Sequence, residues 1–327
     1  MIALETRKNR SLLANQHQLK NADIRAFKTK NRLQANVHYL SISVIAHQNR
    51  IQSILYTSDG SLRTSRVELD IVALRKCLGR LDPNSWSLYS FGAKRPDTTL
   101  TPLLQILEEA YKDQSILSGD HICAALDDPI NLFPIQYIPV KGKPAVHLFS
   151  FSRVTSFSDA CQIADSASYR PSKAKGVFVA AKEKDPNLKR QLFTQSTLAL
   201  AGKNSSYKSI SPDYLTAKEL LSCLGTREII HVQAHGFFRP QSNPYENSGL
   251  VVSDGRGIPI RDGDVSRLLT PSMVNIESPN LSNSHVTLGA CVSGQGLEGQ
   301  GGDVLGLEMA LRLCGASSVL ASHWDVN

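Results

Sequence analysis

The stretch Val286 to Gly296, read V-T-L-G-A-C-V-S-G-Q-G, constrains this chain more than any other. A short apolar run, Val286 to Leu288, stops at Gly289, and Ala290 and Cys291 lead into a glycine-rich bend. Seven of the eighteen residues from Gly289 to Gly306 are glycine, which is too many for a regular helix or strand and suits a loop of unusual backbone freedom. An amphipathic run from Asp303 to Cys314 follows and is closed by Gly315. The order predicts a buried strand, a cysteine at its C-terminal tip, a flexible loop and a helix. In open α/β sheets ligands gather outside the C-terminal ends of the strands, so Cys291 stands where such a sheet does chemistry.

The flanking patterns agree with an α/β chain. From Lys175 onward, Gly176 to Ala181 and Glu228 to Ala234 read as strands, Leu250 to Val252 as a short strand, and Ser318 to Ser322 as the second strand of a strand–helix–strand unit, expected to be parallel. Thr216 and Glu219 have the spacing of a capping box, with Leu215 and Leu220 at the flanking apolar positions, so a helix starts there and ends at Gly225. A short helix is expected near Asp264 to Leu269. Upstream, His38 to Ile45, Ile51 to Tyr56 and Arg63 to Leu69 are separated by polar turns and read as an antiparallel meander. Val72 to Leu81 and Pro102 to Lys112 read as helices, the second with Leu103, Leu104, Leu107 and Tyr111 on one face. The segment Asn131 to Ile135 is interrupted by proline and reads as an ordered loop. These patterns give three segments: a basic extension over 1–37, a second segment over 38–150 that opens with the meander, and an α/β segment over 151–327.

Composition limits the functional classes. The net charge of +7 suggests nucleic acid until it is located: residues 1–37 carry eight Lys and Arg against Glu5 and Asp23, which leaves only +1 for the other 290 residues. The basicity belongs to the extension, and no aromatic interleaving accompanies it, so nucleic acid is not indicated beyond that arm. The six cysteines are scattered with no C-x-x-C pair, which argues against a zinc module and a disulfide framework; no metal is expected. The N-terminus lacks an apolar leader and no run is long enough to span a bilayer, so the expected compartment is the cytoplasm and no membrane partner is expected.

Two strands thus end in reactive residues, one at Ala234-His235-Gly236 and the other at Gly289-Ala290-Cys291. A free thiol with a pKa of about 8.5 is only a few per cent thiolate at neutral pH. An imidazole beside it stabilises the thiolate and later protonates an amine leaving group. A tetrahedral intermediate also needs donors for its oxyanion, and the backbone N–H groups of Gly236 and Cys291 are the natural candidates. The competing reading is that a cysteine at a strand end is a small buried residue with no chemistry.

The segments H-V-Q-A-H-G-F-F (231–238), S-G-L-V-V-S-D-G (248–255), L-G-A-C-V-S-G-Q-G (288–296), G-G-D-V-L-G-L (301–307) and G-A-S-S-V-L-A-S-H-W-D-V (315–326) resemble the CHAT domain family of caspase- and separase-like cysteine peptidases. The resemblance is strong over about 215–327 and weaker from His38 onward. It implies a caspase-like, mostly parallel sheet flanked by helices and preceded by an α+β companion subdomain. It also implies a His235–Cys291 dyad, Gly236 at the oxyanion position, a protein substrate, no cofactor, and a fused or bound regulatory or sensor partner. The chain departs from the pattern at Val292, where the family often has an acidic residue, and at His323 and Asp325 beside Trp324. It also stops at Asn327, where family members usually continue, so a missing C-terminal part is expected.

Other residues have competing assignments. His231 lies on the same strand face as His235 and reads as a packing residue. Asp303 is read either as the cap of the following helix or as part of a pocket for a basic side chain, and His323 and Trp324 as borders of a substrate groove. Gly294-x-Gly296-x-x-Gly299 formally matches a dinucleotide fingerprint, but the acidic ribose ligand expected at the end of the next strand is missing. Two functions follow: a cysteine endopeptidase, or a catalytically silent CHAT-like scaffold that binds or regulates a partner.

Overall fold

The structure is a computed structural model of the 327-residue chain, and it describes residues 33, 35–45, 48–68, 70, 72, 98–127, 130–131, 135–155, 157, 159–161, 175–180, 206–225, 227–239, 243–253, 267–298 and 304–322. The chain forms two compact units, one of Met1–Ser168 with Glu298–Asp303, the other of Tyr169–Leu297 with Val304–Asn327.

The first unit is built on a five-stranded sheet. Strands β1 (Val37–Ile45), β2 (Arg50–Tyr56) and β3 (Leu62–Glu68) form the expected antiparallel meander. The β2–β3 turn is tied by Asp59, which accepts from the Ser61 N–H at 2.9 Å. A 3₁₀ segment (Thr98–Leu104) precedes helix α1 (Gln105–Lys112), with Pro102 in the 3₁₀ part, where no i→i−4 hydrogen bond is lost. Leu103, Leu104 and Leu107 are buried as the helical spacing requires. Strand β4 (His121–Leu126) then pairs parallel to β1. After the small hairpin of β5 (Pro139–Val140) and β6 (Lys143–Pro144), β7 (Ser150–Arg153) pairs parallel to β4, giving the order β3-β2-β1-β4-β7.

Strand β1 alternates apolar and polar residues, yet Ser41 and Ser43 are buried along with Tyr39, Leu40 and Ile42, because the strand is central and covered on both faces. Strand β7 belongs to the first sheet, and Phe157 packs edge-on against Tyr39 and Tyr56 with ring centroids 5.3 and 5.0 Å apart. The helix expected over 72–81 lies outside the described residues except for Val72, and the loop expected over 131–135 is described only at its two ends.

The second unit carries a fully parallel sheet. Its first three strands are β8 (Gly176–Ala180), β9 (Tyr207–Ile210) and β10 (Ile229–Gln233), and helix α2 (Ala217–Cys223) lies between β9 and β10. The capping box is present as read: Thr216 accepts from the Glu219 N–H and Glu219 accepts from the Thr216 N–H. Gly225 adopts φ +76° just past the helix, a left-handed conformation that suits glycine. After β10 the chain forms a small antiparallel sheet of β11 (Gly236–Phe237), β12 (Gly249–Val251) and β13 (Leu268–Leu269), with helix α3 (Pro244–Asn247) between β11 and β12. Helix α4 (Pro271–Glu277) follows, then β14 (His285–Gly289), the ribbon strands β15 (Gly296–Glu298) and β16 (Val304–Gly306), helix α5 (Leu307–Leu313) and β17 (Ser318–Leu320).

The large sheet has the order β17-β14-β10-β8-β9, so β10 and β14 are neighbours. Its core combines Val177 and Val179 from β8, Ile230 and Val232 from β10, and Val286 and Leu288 from β14 with Leu220 of α2, Val274 of α4 and Leu307, Ala310 and Leu311 of α5. Three readings are corrected. Leu268 and Leu269 form a strand against β12 rather than the end of a helix. Helix α4, absent from the sequence reading, is started by Thr270 as N-cap with Pro271 in the first turn. Helix α5 starts four residues later than expected: its N-cap is Gly306, so Asp303 is not the cap. No helix among the described residues is long and apolar enough to cross a membrane.

Candidate active site

The parallel pairing of β10 and β14 brings the two reactive strand ends together. The register sets Ile229 against His285 and Gln233 against Gly289, and the ladder continues one step further through Ala234 N–H to Gly289 O at 3.3 Å. Carried forward, it sets His235 opposite Cys291. Burial fixes the faces. Ile230, Val232 and Ala234 on one strand, and Val286, Leu288 and Ala290 on the other, all enter the core. His235 and Cys291, each following one of these core residues, are both half-buried.

Gly236 explains how closely the two ends approach. A Cβ placed on it would lie 1.7 Å from the carbonyl oxygen of Cys291 and 3.4 Å from its nitrogen. No side chain fits there, so the glycine after the histidine is required by backbone-to-backbone contact with the cysteine. The next elements hold His235 from the other side: its carbonyl accepts from the Val251 N–H at 2.7 Å, while Gly236 pairs with Leu250. That hydrogen bond makes Gly236–Leu250 a non-hydrogen-bonded pair, and the Gly236 N–H therefore points away from β12.

Beyond Cys291 the chain turns sharply. Val292 has φ +48°, a left-handed conformation that is an outlier for a β-branched residue. Such backbone strain costs of order 1–3 kcal/mol and persists only where its surroundings enforce it. Ser293 is 5% exposed; its hydroxyl donates to the Ala290 carbonyl at 2.9 Å and accepts from the Ser322 N–H at 3.1 Å. Ser322 also accepts from the Gly294 N–H at 2.7 Å, and Gln295 N–H closes the turn on Val292 O at 3.0 Å. The glycine loop read after Cys291 is therefore partly regular. Gly296 starts β15, where a Cβ would lie 2.5 Å from Leu305 O, so this glycine serves close packing of the ribbon.

His231 packs as the strand pattern suggests, with its ring stacked on Phe178 at 4.8 Å between centroids. Burial pushes its pKa below the ordinary value, and a hydrogen bond with Gln233 partly opposes this. Gln233 in turn fills the space over Gly289. Asp303, His323 and Trp324, the groove candidates, lie outside the described residues. Among the described residues no group of three or more His, Cys, Asp or Glu side chains could hold a metal ion. The sequence reading missed Ser293 and Ser322; a serine two residues after a cysteine is no signal by itself until the turn that it closes is known.

The CHAT domain family model matches residues 97–327. This chain belongs to the CHAT domain family. Its α/β architecture is also similar to the crystal structure of the Saccharomyces cerevisiae separase–securin complex, with a TM-score of 0.53 over 90% of this CHAT-domain chain at 10% sequence identity. At that identity the likeness is one of fold, and it supports a caspase-like arrangement. The CHAT-domain chain spans 26% of the length of that solved chain. No curated protein matches the sequence.

Proposed function

We propose that this CHAT-domain chain is a cysteine endopeptidase acting through His235 and Cys291. The Cys291 thiolate attacks the scissile carbonyl carbon, and the N–H groups of Gly236 and Cys291 receive the developing oxyanion. As the carbon–nitrogen bond breaks, His235 gives its proton to the departing amine and leaves a thioester on Cys291. Water, deprotonated by His235, then attacks the thioester and releases the acid product and the free thiol. No metal or organic cofactor enters this scheme. In this reading the unit of Tyr169–Leu297 with Val304–Asn327 is the catalytic part and the other unit the companion.

One observation supports the reading above the others: adjacent parallel strands end in register two residues before His235 and Cys291, with Gly236 packed on the Cys291 backbone. The solved structure of similar fold is a separase–securin complex, and we propose that this chain also binds a partner, a regulatory protein. The test compares the parent with Cys291→Ala and His235→Ala on a peptide library. Loss of cleavage in both supports the dyad, and unchanged cleavage in either overturns it. A parent that cleaves nothing, with Cys291 no more reactive to alkylation than an ordinary thiol, would instead identify a silent CHAT-like scaffold.

A further inference from the structure

We infer that Ser293 is a positioning residue for Cys291, acting by holding the Cys291–Val292 turn in a left-handed conformation that valine resists. The inference rests on the dyad reading and adds to it a specific residue with a specific mechanical role.

The argument starts from the φ of +48° at Val292. A residue branched at Cβ clashes with its own backbone there, so the turn relaxes unless other contacts hold it. Gly294 sits two residues later, so the chain has a permissive residue close by, yet the left-handed position falls on valine. Two contacts hold it in place. The Ser293 hydroxyl donates to the carbonyl of Ala290, the residue before the cysteine, and accepts from the backbone of Ser322 just past β17. Ser322 then takes the Gly294 N–H through its own carbonyl. Cys291 and Val292 are thus bridged from both sides, and the bridge is anchored to β17, the strand neighbouring β14.

The consequence concerns geometry rather than charge. With Ala290 fixed in the core and Ser293 fixed to Ser322, the backbone at Cys291 has no freedom to rotate, and its side chain and N–H keep one direction. Removing the hydroxyl lets Val292 relax toward negative φ, which displaces the Cys291 backbone and with it the N–H and thiol. Ser293 itself touches no substrate in this scheme.

A double-mutant cycle on the full chain tests this, with Ser293→Ala, Val292→Gly and the pair. Two readouts are used: the rate at which iodoacetamide labels Cys291, located by mass spectrometry, and kcat and KM on a peptide cleaved by the parent. S293A is expected to slow labelling and lower kcat by about tenfold or more, as small misplacements of a reacting group do, with KM little changed. Ser293→Thr, which keeps the hydroxyl, is expected to restore both. Glycine accepts positive φ without strain, so in the V292G background loss of the hydroxyl is expected to cost less than about threefold, a coupling that independent sites would not show. Equal effects of S293A in both backgrounds, or no effect in either, would overturn the inference. If S293A alone does not fold, a folded and normally reactive V292G/S293A protein supports the inference, and failure of the pair to fold overturns it. Failure of the dyad reading looks different, because Cys291→Ala would then leave cleavage intact while the labelling cycle still reports on the turn.

Discussion

The backbones of Gly236 and Cys291 touch so closely that a single methyl group on Gly236 would lie 1.7 Å from the Cys291 carbonyl oxygen. The obstacle is main chain on both sides, so it cannot be relieved by a rotamer change. Gly236→Ala is therefore expected to push the two strand ends apart and to cost at least about 1–3 kcal/mol, as overpacking does. Urea denaturation measures the loss, and Cys291 labelling reports the displaced site. A variant as stable and as reactive as the parent would mean that the strand ends do not meet in solution.

The cysteines are expected to separate by reactivity. Burial, reinforced by the charge of Asp159, pushes the Cys123 thiol up to about 12, and burial also raises Cys223 and Cys314. A thiol with a pKa near 12 is only about one part in ten thousand thiolate at pH 8. Brief alkylation of the folded chain at pH 8 should label Cys291 ahead of Cys314 and leave Cys123 and Cys223 unmodified. Labelling in urea should reach all of them. Modification of Cys123 as fast as Cys291 in the folded chain would contradict the burial described.

Sequence patterns made much of this legible where a local rule has one physical outcome. Thr216 and Glu219 satisfy each other's backbone donors wherever an apolar helix follows, and an apolar run ending in Ala-His-Gly or Gly-Ala-Cys has few uses besides a buried strand tip. What the patterns missed depends on partners distant in the chain. Leu268 and Leu269 are too few to show any period, and only their pairing with β12 makes them a strand. The helix start near Asp303 falls at Gly306 because β16 occupies the intervening residues. The left-handed Val292 leaves no trace in composition, because valine is the residue that such a conformation excludes unless tertiary contacts impose it.

The capping box of α2 supplies a stability test away from the site. The Thr216 hydroxyl accepts from the Glu219 N–H at 3.2 Å, the Glu219 carboxylate accepts from the Thr216 N–H at 2.9 Å, and Leu215 and Leu220 are buried beside them. Thr216→Ala removes one satisfied helix donor and is expected to cost about 1 kcal/mol, whereas Thr216→Ser keeps the acceptor and should change little. The urea midpoint distinguishes them. Equal midpoints for T216A and the parent would show that the cap does not contribute to stability.

The stacked His231 makes stability depend on pH with a defined sign. Burial holds its imidazole below the ordinary value of 6.5, so the folded chain keeps the ring neutral where the unfolded chain would already protonate it. Between that value and the lower folded one, the unfolded state binds more protons, and stability therefore rises with pH through this window. Its contribution is complete above about 6.5 and is lost as the pH falls through the folded value. His121 in the first unit, bonded to Ser150 and Ser152 through its two ring nitrogens, is displaced by burial in the same direction. His231→Phe keeps a ring against Phe178 but has nothing to protonate, so melting temperatures measured from pH 7.5 down to pH 5 are expected to fall less steeply than in the parent. The remaining slope should include the share of His121 and diminish again in the double variant with His121→Phe. Superimposable pH profiles for His231→Phe and the parent would show that His231 titrates in the folded chain as it does in water, and the stacked, neutral ring would have to be abandoned.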